Sequence, residues 1–302
     1  MRVSLIGDTT YPNVAFQKIS AYHKSKGDTI GLNLPNPDIV YLSCIFSWNK
    51  STMLGKAAFY NSCGIQTITG GSGIDVKSKL DWKIEIQEPD QDLYSHLDYS
   101  FGFMTRGCIR KCSFCIVPEK EGHLRFEGFD WVKKDKVIFY DNNFLAFTQH
   151  EEILKCISRF GWKVCFNQGL DIRLVTADNA KLLADIDYRS LNFKVPRLYF
   201  AFDNRTIEME QAVRKGVALL VKAGIKPSNL MFYTLYGKES SELAFESLVT
   251  RYNILKELGI KCYPMNFRKG DKRYWKCHKF ARYVIRRYDE FLTFDQYCEG
   301  LK

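Results

Sequence analysis

The sequence predicts an α/β protein in which a partial (β/α)6 TIM-type barrel follows a small doubly wound, Rossmann-like domain. Apolar segments of strand length alternate with helical patterns, and this alternation restarts after Asp98 and runs longer. The 302 residues are enough for about two domains. We therefore assign 1–97 to the first α/β domain, 98–270 to the barrel and 271–302 to a basic, aromatic helical segment.

The first domain is predicted from a short series of alternating elements. Its expected strands are Arg2–Gly7, Asp38–Phe46 and Ile65–Thr69, with Lys83–Gln87 closing the set. Its expected helices are Val14–Lys26 and Ser47–Tyr60, and a glycine turn is expected at Gly70–Gly73. Because Asp38–Phe46 is apolar almost throughout, it suits a central strand that is covered on both faces.

Six strand candidates define the barrel: Tyr99–Thr105, Val137–Asn142, Lys163–Gln168, Arg197–Asp203, Asn229–Tyr236 and Lys261–Asn266. The helical patterns between them are Glu127–Lys134, His150–Phe160, Ala177–Ile186, Glu208–Lys222 and Ser241–Leu258, and Tyr274–Arg287 follows the last strand. Polar residues cluster just after most of these strands. In a βα barrel the loops that follow the strands share one mouth, where active sites lie.

Composition and charge narrow the class of protein. Hydrophobic residues make up 46% and charged residues 26%, an ordinary globular balance. No apolar run approaches the roughly 18 residues of a membrane span, and the first apolar stretch is too short for a signal peptide. The sequence thus predicts a soluble cytoplasmic protein without a membrane partner.

The net charge of +10 is concentrated near the C-terminus. Residues 268–287 contain nine Lys or Arg residues, beginning with Arg268 and Lys269, against the single acid Asp271. Aromatics interleave with these cations: Tyr274, Trp275, Phe280 and Tyr283. Two interpretations stay open. The aromatic rings could be stacking platforms beside a charged groove that binds single-stranded nucleic acid. Alternatively, the segment is an amphipathic helix whose aromatics enter the core together with Val284 and Phe291.

Three of the ten cysteines lie within eight residues of one another: Cys108, Cys112 and Cys115. Three thiolates at this spacing can hold one face of a cubane iron–sulfur cluster, which leaves one iron open to a further ligand. Arg106, Arg110 and Lys111 would offset the negative charge of the thiolates and sulfides. The alternatives are a zinc site completed by a residue such as His123, and three unliganded thiols.

The segment Met104-Thr105-Arg106-Gly107-Cys108-x3-Cys112-x2-Cys115 resembles the cluster loop of radical S-adenosylmethionine (radical SAM) enzymes. The resemblance implies that the three cysteines bind a 4Fe-4S cluster whose open iron chelates S-adenosylmethionine. It also implies an electron donor of flavodoxin or ferredoxin type. The expected reaction is reductive cleavage of S-adenosylmethionine to a 5′-deoxyadenosyl radical.

The same resemblance extends along the barrel and implies further contacts to S-adenosylmethionine. Tyr140–Phe144 is similar to the second-strand segment of the subclass with an N-terminal cobalamin-binding-type domain, which suggests roles for Asp141 and Asn143. Arg173 matches the arginine after the third strand, and Asp203 lies where the fourth strand ends. Gly237 lies in a segment like the fifth-strand glycine segment near the adenine.

The first domain resembles the cobalamin-binding-type fold, with Gly70-Gly71 in the expected glycine turn. The D-x-H-x-x-G motif that supplies an axial histidine is absent around His23, so cobalamin stays open as a cofactor. The methylthiotransferase branch has a comparable layout. It needs three further cysteines in this domain, of which only Cys44 could match one.

The lead hypothesis is a radical SAM enzyme that modifies an unknown anionic substrate, such as a nucleotide or a nucleic acid. A cobalamin-dependent radical SAM methyltransferase is the first alternative. A non-enzymatic nucleic-acid-binding protein with a structural metal is the second. Cys262, Cys277 and Cys298 could also form an auxiliary cluster site, although their spacing is loose.

Overall fold

The computed structural model describes residues 1–267 and 271–300. The chain forms two compact units, Met1–Asp135 and Lys136–Lys302. The domain boundary predicted after residue 97 remains a prediction. Arg268 and Lys269, which belong to the predicted basic segment, lie outside the described residues.

The first unit begins with alternating strands and helices and continues into shorter elements. In chain order these are β1 (Arg2–Gly7), α1 (Val14–Ser25), β2 (Thr29–Leu32), β3 (Ile39–Ser43), α2 (Lys50–Ser62), β4 (Gln66–Gly70), α3 (Trp82–Glu85), β5 (Ser100–Gly102), β6 (Thr105–Arg106), α4 (Val117–Lys120) and β7 (Arg125–Phe126).

A parallel sheet with the order β2-β1-β3-β4 forms the core of this unit. All five residues of β3 are buried, as the apolar run predicts for a strand covered on both faces. The strand order reverses between β1 and β3. In open parallel sheets the crevice beyond the carboxyl ends of two such strands is the usual place for a ligand.

Two predicted elements of this unit are wrong, and one strand was not predicted. Lys83–Gln87 does not close the sheet, because Asp81 accepts a hydrogen bond from the Lys83 N–H at 2.9 Å and begins the short helix α3. Glu127–Lys134 forms no helix, and in this segment the Trp131 indole N–H donates to the Gly128 and Phe103 carbonyls. Strand β2 was not predicted from the sequence, since its four residues are only partly buried or exposed.

The second unit continues the alternation with longer helices. Its elements are β8 (Lys136–Phe139), α5 (His150–Phe160), β9 (Lys163–Phe166), α6 (Ala177–Asp185), β10 (Asp187–Tyr188), β11 (Leu198–Ala201), α7 (Ile207–Lys222), β12 (Leu230–Tyr236), α8 (Ser241–Glu257), β13 (Lys261–Asn266), α9 (Trp275–Ile285) and α10 (Phe294–Glu299).

The strands of the second unit pair in parallel. β9 lies between β8 and β10, and β12 lies between β11 and β13. The two sets meet at a parallel bridge between Leu170 and Phe200, where the Leu170 N–H donates to the Tyr199 carbonyl at 2.7 Å. The prediction of a mixed α/β fold with parallel sheets is therefore confirmed.

The C-terminal segment of the second unit is amphipathic. Tyr274, Phe280 and Tyr283 are 3–4% exposed and pack in a hydrophobic core with α8, which corrects the interpretation of these rings as stacking platforms. Phe291 is 81% exposed and does not join that core. Trp275 also differs, with 60% of its surface exposed. None of the helices in the described part of the chain combines the length and apolar character needed to cross a bilayer.

Candidate functional site

The cysteine loop lies in the first unit between β6 and α4. Cys108 and Cys112 are partly buried, and Cys115 is exposed. The Cys115 N–H donates to the Cys112 carbonyl at 3.0 Å, which closes a tight turn between the second and third cysteines. A backbone hydrogen bond within the loop therefore helps to fix its conformation without a ligand.

Backbone N–H groups are directed at two of the sulfur atoms. The Arg110 N–H lies 3.3 Å from Cys108 Sγ, and the Val117 N–H lies 3.5 Å from Cys115 Sγ. Such donors stabilise thiolates, and hydrogen bonds to the sulfurs tune the reduction potential of an iron–sulfur cluster. The donor set and its hydrogen bonds fit a cluster held by three cysteines.

Gly107, directly before the first cysteine, allows the loop to pass close to a neighbouring segment. Its φ is +89°, and a Cβ atom built there would lie 2.4 Å from the His123 carbonyl oxygen. A side chain at this position would collide with backbone in addition to being strained. The sequence contains the glycine, but the close approach that requires it became visible only in the structure.

Arg106 pairs with two carboxylates of its own unit. Its guanidinium lies 3.2 Å from Glu85 and 3.3 Å from Glu121, and it lies over the Phe103 ring at 4.5 Å from the centroid. Of the three cations expected to offset the thiolates, Arg106 is therefore paired with carboxylates instead. We infer that Arg106 holds the base of the cysteine loop.

His123 is an exposed residue, and its backbone carbonyl lies close to Gly107 of the cysteine loop. Among residues 1–267 and 271–300, no three His, Cys, Asp or Glu side chains are grouped as ligands of one metal ion. A cubane cluster makes a different demand, because each cysteine binds a separate iron.

In the second unit, buried polar residues follow the first strand. Asp141 and Asn143 come shortly after β8 and are 4% and 3% exposed. Polar side chains at this depth require hydrogen-bond partners. The prediction that these two residues contact a cofactor is not tested by their burial alone and remains a prediction.

Arg173 follows β9 and is held by a nearby carboxylate. Its Nε and Nη2 atoms donate to the two oxygens of Asp171 at 2.6 and 2.9 Å. The backbone N–H of Arg173 donates to the same carboxylate at 3.2 Å. This two-pronged pair fixes the plane of the guanidinium, whose side chain remains 37% exposed.

Asp203 follows β11 and is held from β12. Its Oδ1 accepts a hydrogen bond from the Leu235 N–H at 2.9 Å, and its backbone carbonyl accepts one from Lys238 Nζ at 2.7 Å. Burial raises the pKa of the Asp203 carboxyl above its ordinary value, although the Leu235 N–H opposes this shift. Gly237, between these two partners, has a φ of +93°.

Arg251 is a buried cation that the sequence analysis did not identify. It is fully buried on α8, and its guanidinium donates to the carbonyls of Ser247, Phe202 and Leu235. Desolvation lowers the pKa of Arg251. The signal was a charged residue on the helix face that carries Ala244, Leu248 and Leu255, all of which are buried.

The first unit contains a cavity of about 430 Å³ at the carboxyl ends of β1 and β2. Its lining combines polar side chains, including Asp8, Thr9 and Asn13, with the apolar side chains of Leu5 and Phe16. This volume is suitable for a small molecule of drug size. Ile45, which follows β3, also lines the cavity, so it overlaps the crevice predicted between β1 and β3 and extends from there towards β2.

The predicted glycine turn of the first unit packs against its own chain. A Cβ atom at Gly71 would lie 2.3 Å from the Cys44 carbonyl oxygen, and one at Gly73 would lie 2.7 Å from the Phe46 carbonyl carbon. The Cys44 thiol is buried, lies 3.2 Å from the Phe46 carbonyl oxygen, and has its pKa raised by burial.

His23 is engaged on both ring nitrogens. Nδ1 lies 2.7 Å from Asp28 Oδ2, Nε2 lies 3.0 Å from the Tyr41 hydroxyl, and the residue is 2% exposed. This is the environment of a structural histidine. It agrees with the absence of a cobalamin-ligand motif around this residue.

The three C-terminal cysteines lie in or against one hydrophobic core. Cys277 is a buried member of it, and Cys262 and Cys298 pack against it. Burial raises the pKa of Cys262 to about 12 and that of Cys277 to about 11, so both thiols are protonated at neutral pH. These properties favour packing roles, and the auxiliary cluster is not supported by them.

No protein-family profile and no curated protein sequence matches the chain. Among solved structures, the cobalamin-dependent S-adenosylmethionine radical enzyme OxsB is similar in its apo form (TM-score 0.56, 12% identity) and with aqua-cobalamin bound (TM-score 0.54, 13% identity). Each alignment covers 95% of this chain but 55% of OxsB, so the chain spans about half the length of that enzyme.

Streptococcus suis SuiB, bound to its precursor peptide SuiA, aligns over 80% of this chain and 59% of its own, with 12% identity and a TM-score of 0.41. The likeness to OxsB shows that this chain shares the fold of the aligned part of that enzyme. The expected mixed α/β fold with parallel sheets is confirmed at this coarse level.

Proposed function

We propose that this protein is a radical SAM enzyme in which Cys108, Cys112 and Cys115 bind a 4Fe-4S cluster. The observation that carries the proposal is a C-x3-C-x2-C loop, with backbone N–H groups on two of its sulfurs, in a chain with the fold of OxsB. When bound, the cluster supplies the electron that cleaves S-adenosylmethionine to a 5′-deoxyadenosyl radical.

The polar residues after the strands of the second unit are our proposed contacts to S-adenosylmethionine: Asp141, Asn143, Arg173, Asp203 and Gly237. Several of these groups are already fixed by the protein. Asp171 orients the Arg173 guanidinium, and the Leu235 N–H orients the Asp203 carboxylate. Pre-organised groups bind without losing much side-chain entropy, which favours a recognition role.

The finer architecture belongs to the same proposal. We infer a six-unit partial barrel over residues 98–270, preceded by a Rossmann-like domain over 1–97, because parallel strands and helices alternate through both segments. We further propose a flavodoxin- or ferredoxin-type electron donor and a cytoplasmic location. The substrate is proposed to be anionic because of the positive charge of the C-terminal segment.

The test is anaerobic incubation of the reconstituted protein with reductant and S-adenosylmethionine, followed by chromatographic assay of 5′-deoxyadenosine. Cys112→Ala should abolish product and lower the iron content, whereas Cys63→Ala, at an exposed cysteine outside the loop, should do neither. Zinc without sulfide in the purified protein would contradict the proposal and favour a structural metal site.

A cobalamin-dependent radical SAM methyltransferase is the second candidate, favoured by the similarity to OxsB with aqua-cobalamin bound. The first unit fits this cofactor only in part. His23 is committed to Asp28 and Tyr41, and a corrinoid would have to extend beyond a cavity of about 430 Å³. A corrinoid absorption spectrum that persists after the iron is chelated would support this candidate, and its absence after incubation with hydroxocobalamin would exclude it.

A further inference from the structure

One side of helix α9 carries a row of cations that ends in an exposed tryptophan. Trp275, Lys279 and Arg282 lie on one face of α9 at positions i, i+4 and i+7, and Arg286, directly after the last residue of the helix, follows at i+11. We call these four residues the α9 stripe. Neighbouring residues of such a row lie about 5–6 Å apart, so the stripe offers closely spaced positive charge.

The opposite side of α9 is fully used by the core. Cys277, Phe280 and Val284 are 0–7% exposed and pack against α8 and α10. The helix therefore cannot rotate to hide its charged face. Trp275, at 60% exposure, is the aromatic ring of α9 that faces solvent, and Lys279 Nζ lies 5.9 Å from its centroid.

The charge of the stripe is not balanced locally. Arg273 is paired with Asp271, and Arg287 is paired with Glu290. In the described part of the chain, no carboxylate forms an ion pair with Lys279, Arg282 or Arg286, nor with the flanking Lys272 and Lys276. A row of unbalanced cations beside an exposed aromatic ring is complementary to a phosphate backbone with accessible bases.

A polar recess lies at the tryptophan end of the stripe. It has a volume of about 430 Å³ and is lined by Lys238, Glu239, Ser240, Ser241, Arg273 and Tyr274. Lys238 Nζ donates to the Asp203 backbone carbonyl and to Asn204 Oδ1, both at 2.7 Å. The recess is thus directly connected to the strand end that carries Asp203.

We propose that the α9 stripe binds single-stranded nucleic acid, with phosphates on Lys279, Arg282 and Arg286 and a base stacked on Trp275. This inference rests on the proposed function, because it names the substrate class of the same enzyme. The strand would continue from Trp275 through the polar recess towards Asp203. A single strand is required because an enzyme can modify a base only when that base is out of the duplex stack.

The test is fluorescence anisotropy of a 5′-fluorescein-labelled 20-mer of mixed sequence, as RNA and as DNA, titrated with the reconstituted protein at increasing salt. The triple variant Lys279→Gln/Arg282→Gln/Arg286→Gln should lose affinity at low salt. Its slope of log affinity against log salt should fall by about 2, since each phosphate contact to a single strand contributes about 0.7.

A matched control is Lys181→Gln/Lys215→Gln/Lys222→Gln, which removes the same charge from exposed positions on α6 and α7. It should bind like the wild type. Trp275→Ala should weaken binding by roughly 5-fold to 100-fold through lost stacking, and Trp275→Phe should restore most of that loss. Trp275 is exposed, and the far-ultraviolet circular dichroism spectrum verifies that each variant is folded.

Equal affinity of the stripe variant and the control variant would overturn the proposal. So would absence of binding at 50 mM salt, equal affinity for a duplex of the same sequence, or preferential binding to phosphatidylserine vesicles. Cys112→Ala should bind the oligonucleotide as the wild type does. If the reconstituted wild-type protein bound the oligonucleotide but formed no 5′-deoxyadenosine, the proposed function would be contradicted while the binding surface would be supported.

Discussion

The guanidinium of Arg251 donates from Nη1 to the carbonyl of Phe202 at 2.7 Å, directly before Asp203 in the chain. Its Nη2 donates to the Leu235 carbonyl at 3.0 Å, and the N–H of the same Leu235 donates to Asp203. A buried cation on α8 thus joins the ends of β11 and β12. We infer that it positions Asp203 through these two strand ends.

Replacing this cation should destabilise the fold. Arg251→Met leaves two strand-end carbonyls without their donor in a buried place, where each unsatisfied group costs about 1–3 kcal/mol. We expect the free energy of unfolding in urea to fall by about 3 kcal/mol. Arg214→Met, which removes an exposed guanidinium paired with Glu210 and Glu257, should change it far less. Similar losses for the two variants would show that the Arg251 bonds are not structural.

Gly107→Ala should impair the cysteine loop more than the rest of the protein. The added Cβ would collide with the His123 carbonyl oxygen at 2.4 Å, and the loop would have to move. We expect reconstituted protein to hold less than half the wild-type iron and sulfide while its far-ultraviolet spectrum is unchanged. Gly122→Ala is the control, since its φ is also positive, at +72°, but nothing lies within 4 Å of its Cβ. Full iron in Gly107→Ala would contradict this view of the loop.

Asp203→Asn should stabilise the protein at neutral pH. The folded-state pKa of Asp203 is raised by burial, so the ionised carboxylate opposes folding above that pKa. As the pH falls through the raised pKa towards about 4, the native carboxyl takes up a proton and this penalty disappears. The asparagine keeps an oxygen for the Leu235 N–H.

The measurement for Asp203 is the urea midpoint of wild type and variant between pH 4.5 and pH 8. The stabilisation should shrink as the pH falls, whereas Asp178→Asn, at an exposed position on α6, should show no such trend. If Asp203→Asn is less stable than the wild type at pH 8, the carboxylate is stabilised by its neighbours more than it is destabilised by burial.

Alkylation should separate seven of the ten cysteines into three groups. Cys63 is exposed and should react rapidly with iodoacetamide at pH 8, in the reconstituted and in the chelated protein. Cys44, Cys262 and Cys277 should stay unmodified in both, because burial raises their thiol pKa.

The loop cysteines Cys108, Cys112 and Cys115 should be protected only while a cluster is bound, and peptide mass spectrometry reads the modified positions. Protection of only two of them would mean that the third is not a ligand. Reaction of Cys262 or Cys277 at the rate of Cys63 would show that the C-terminal core opens readily.

The sequence was sufficient to predict those elements whose hydrophobic pattern is clear along their whole length. The predicted bounds of β1, α5 and β13 agree with the structure, and α7 and α8 agree within one residue. Short or locally capped segments were not predictable, because their state is decided by contacts distant in the chain. Strand β2 exists through its pairing with β1, and α3 exists through the cap at Asp81.

Some residues of the candidate site could likewise be predicted from the sequence, and others could not. The cysteine spacing is a local signal, so the sequence could identify all three proposed ligands. The roles of Arg106 and Arg251 depend on partners that are 15 to 49 residues away in the chain, such as Glu121 and Phe202. Only the folded chain shows that Arg106 pairs with carboxylates and that Arg251 donates to strand-end carbonyls.

A bridge between Leu170 and Phe200 joins the two sets of paired strands in the second unit. We call this junction the seam. The amide proton of Leu170 lies in that seam, so its rate of exchange with deuterium reports how often the seam opens. Asp171 and Arg173 follow it on one side, and Asp203 follows it on the other. If the Leu170 amide exchanges slowly, and more slowly still with S-adenosylmethionine present, then binding of the ligand stabilises the hydrogen bond that joins the two strand sets.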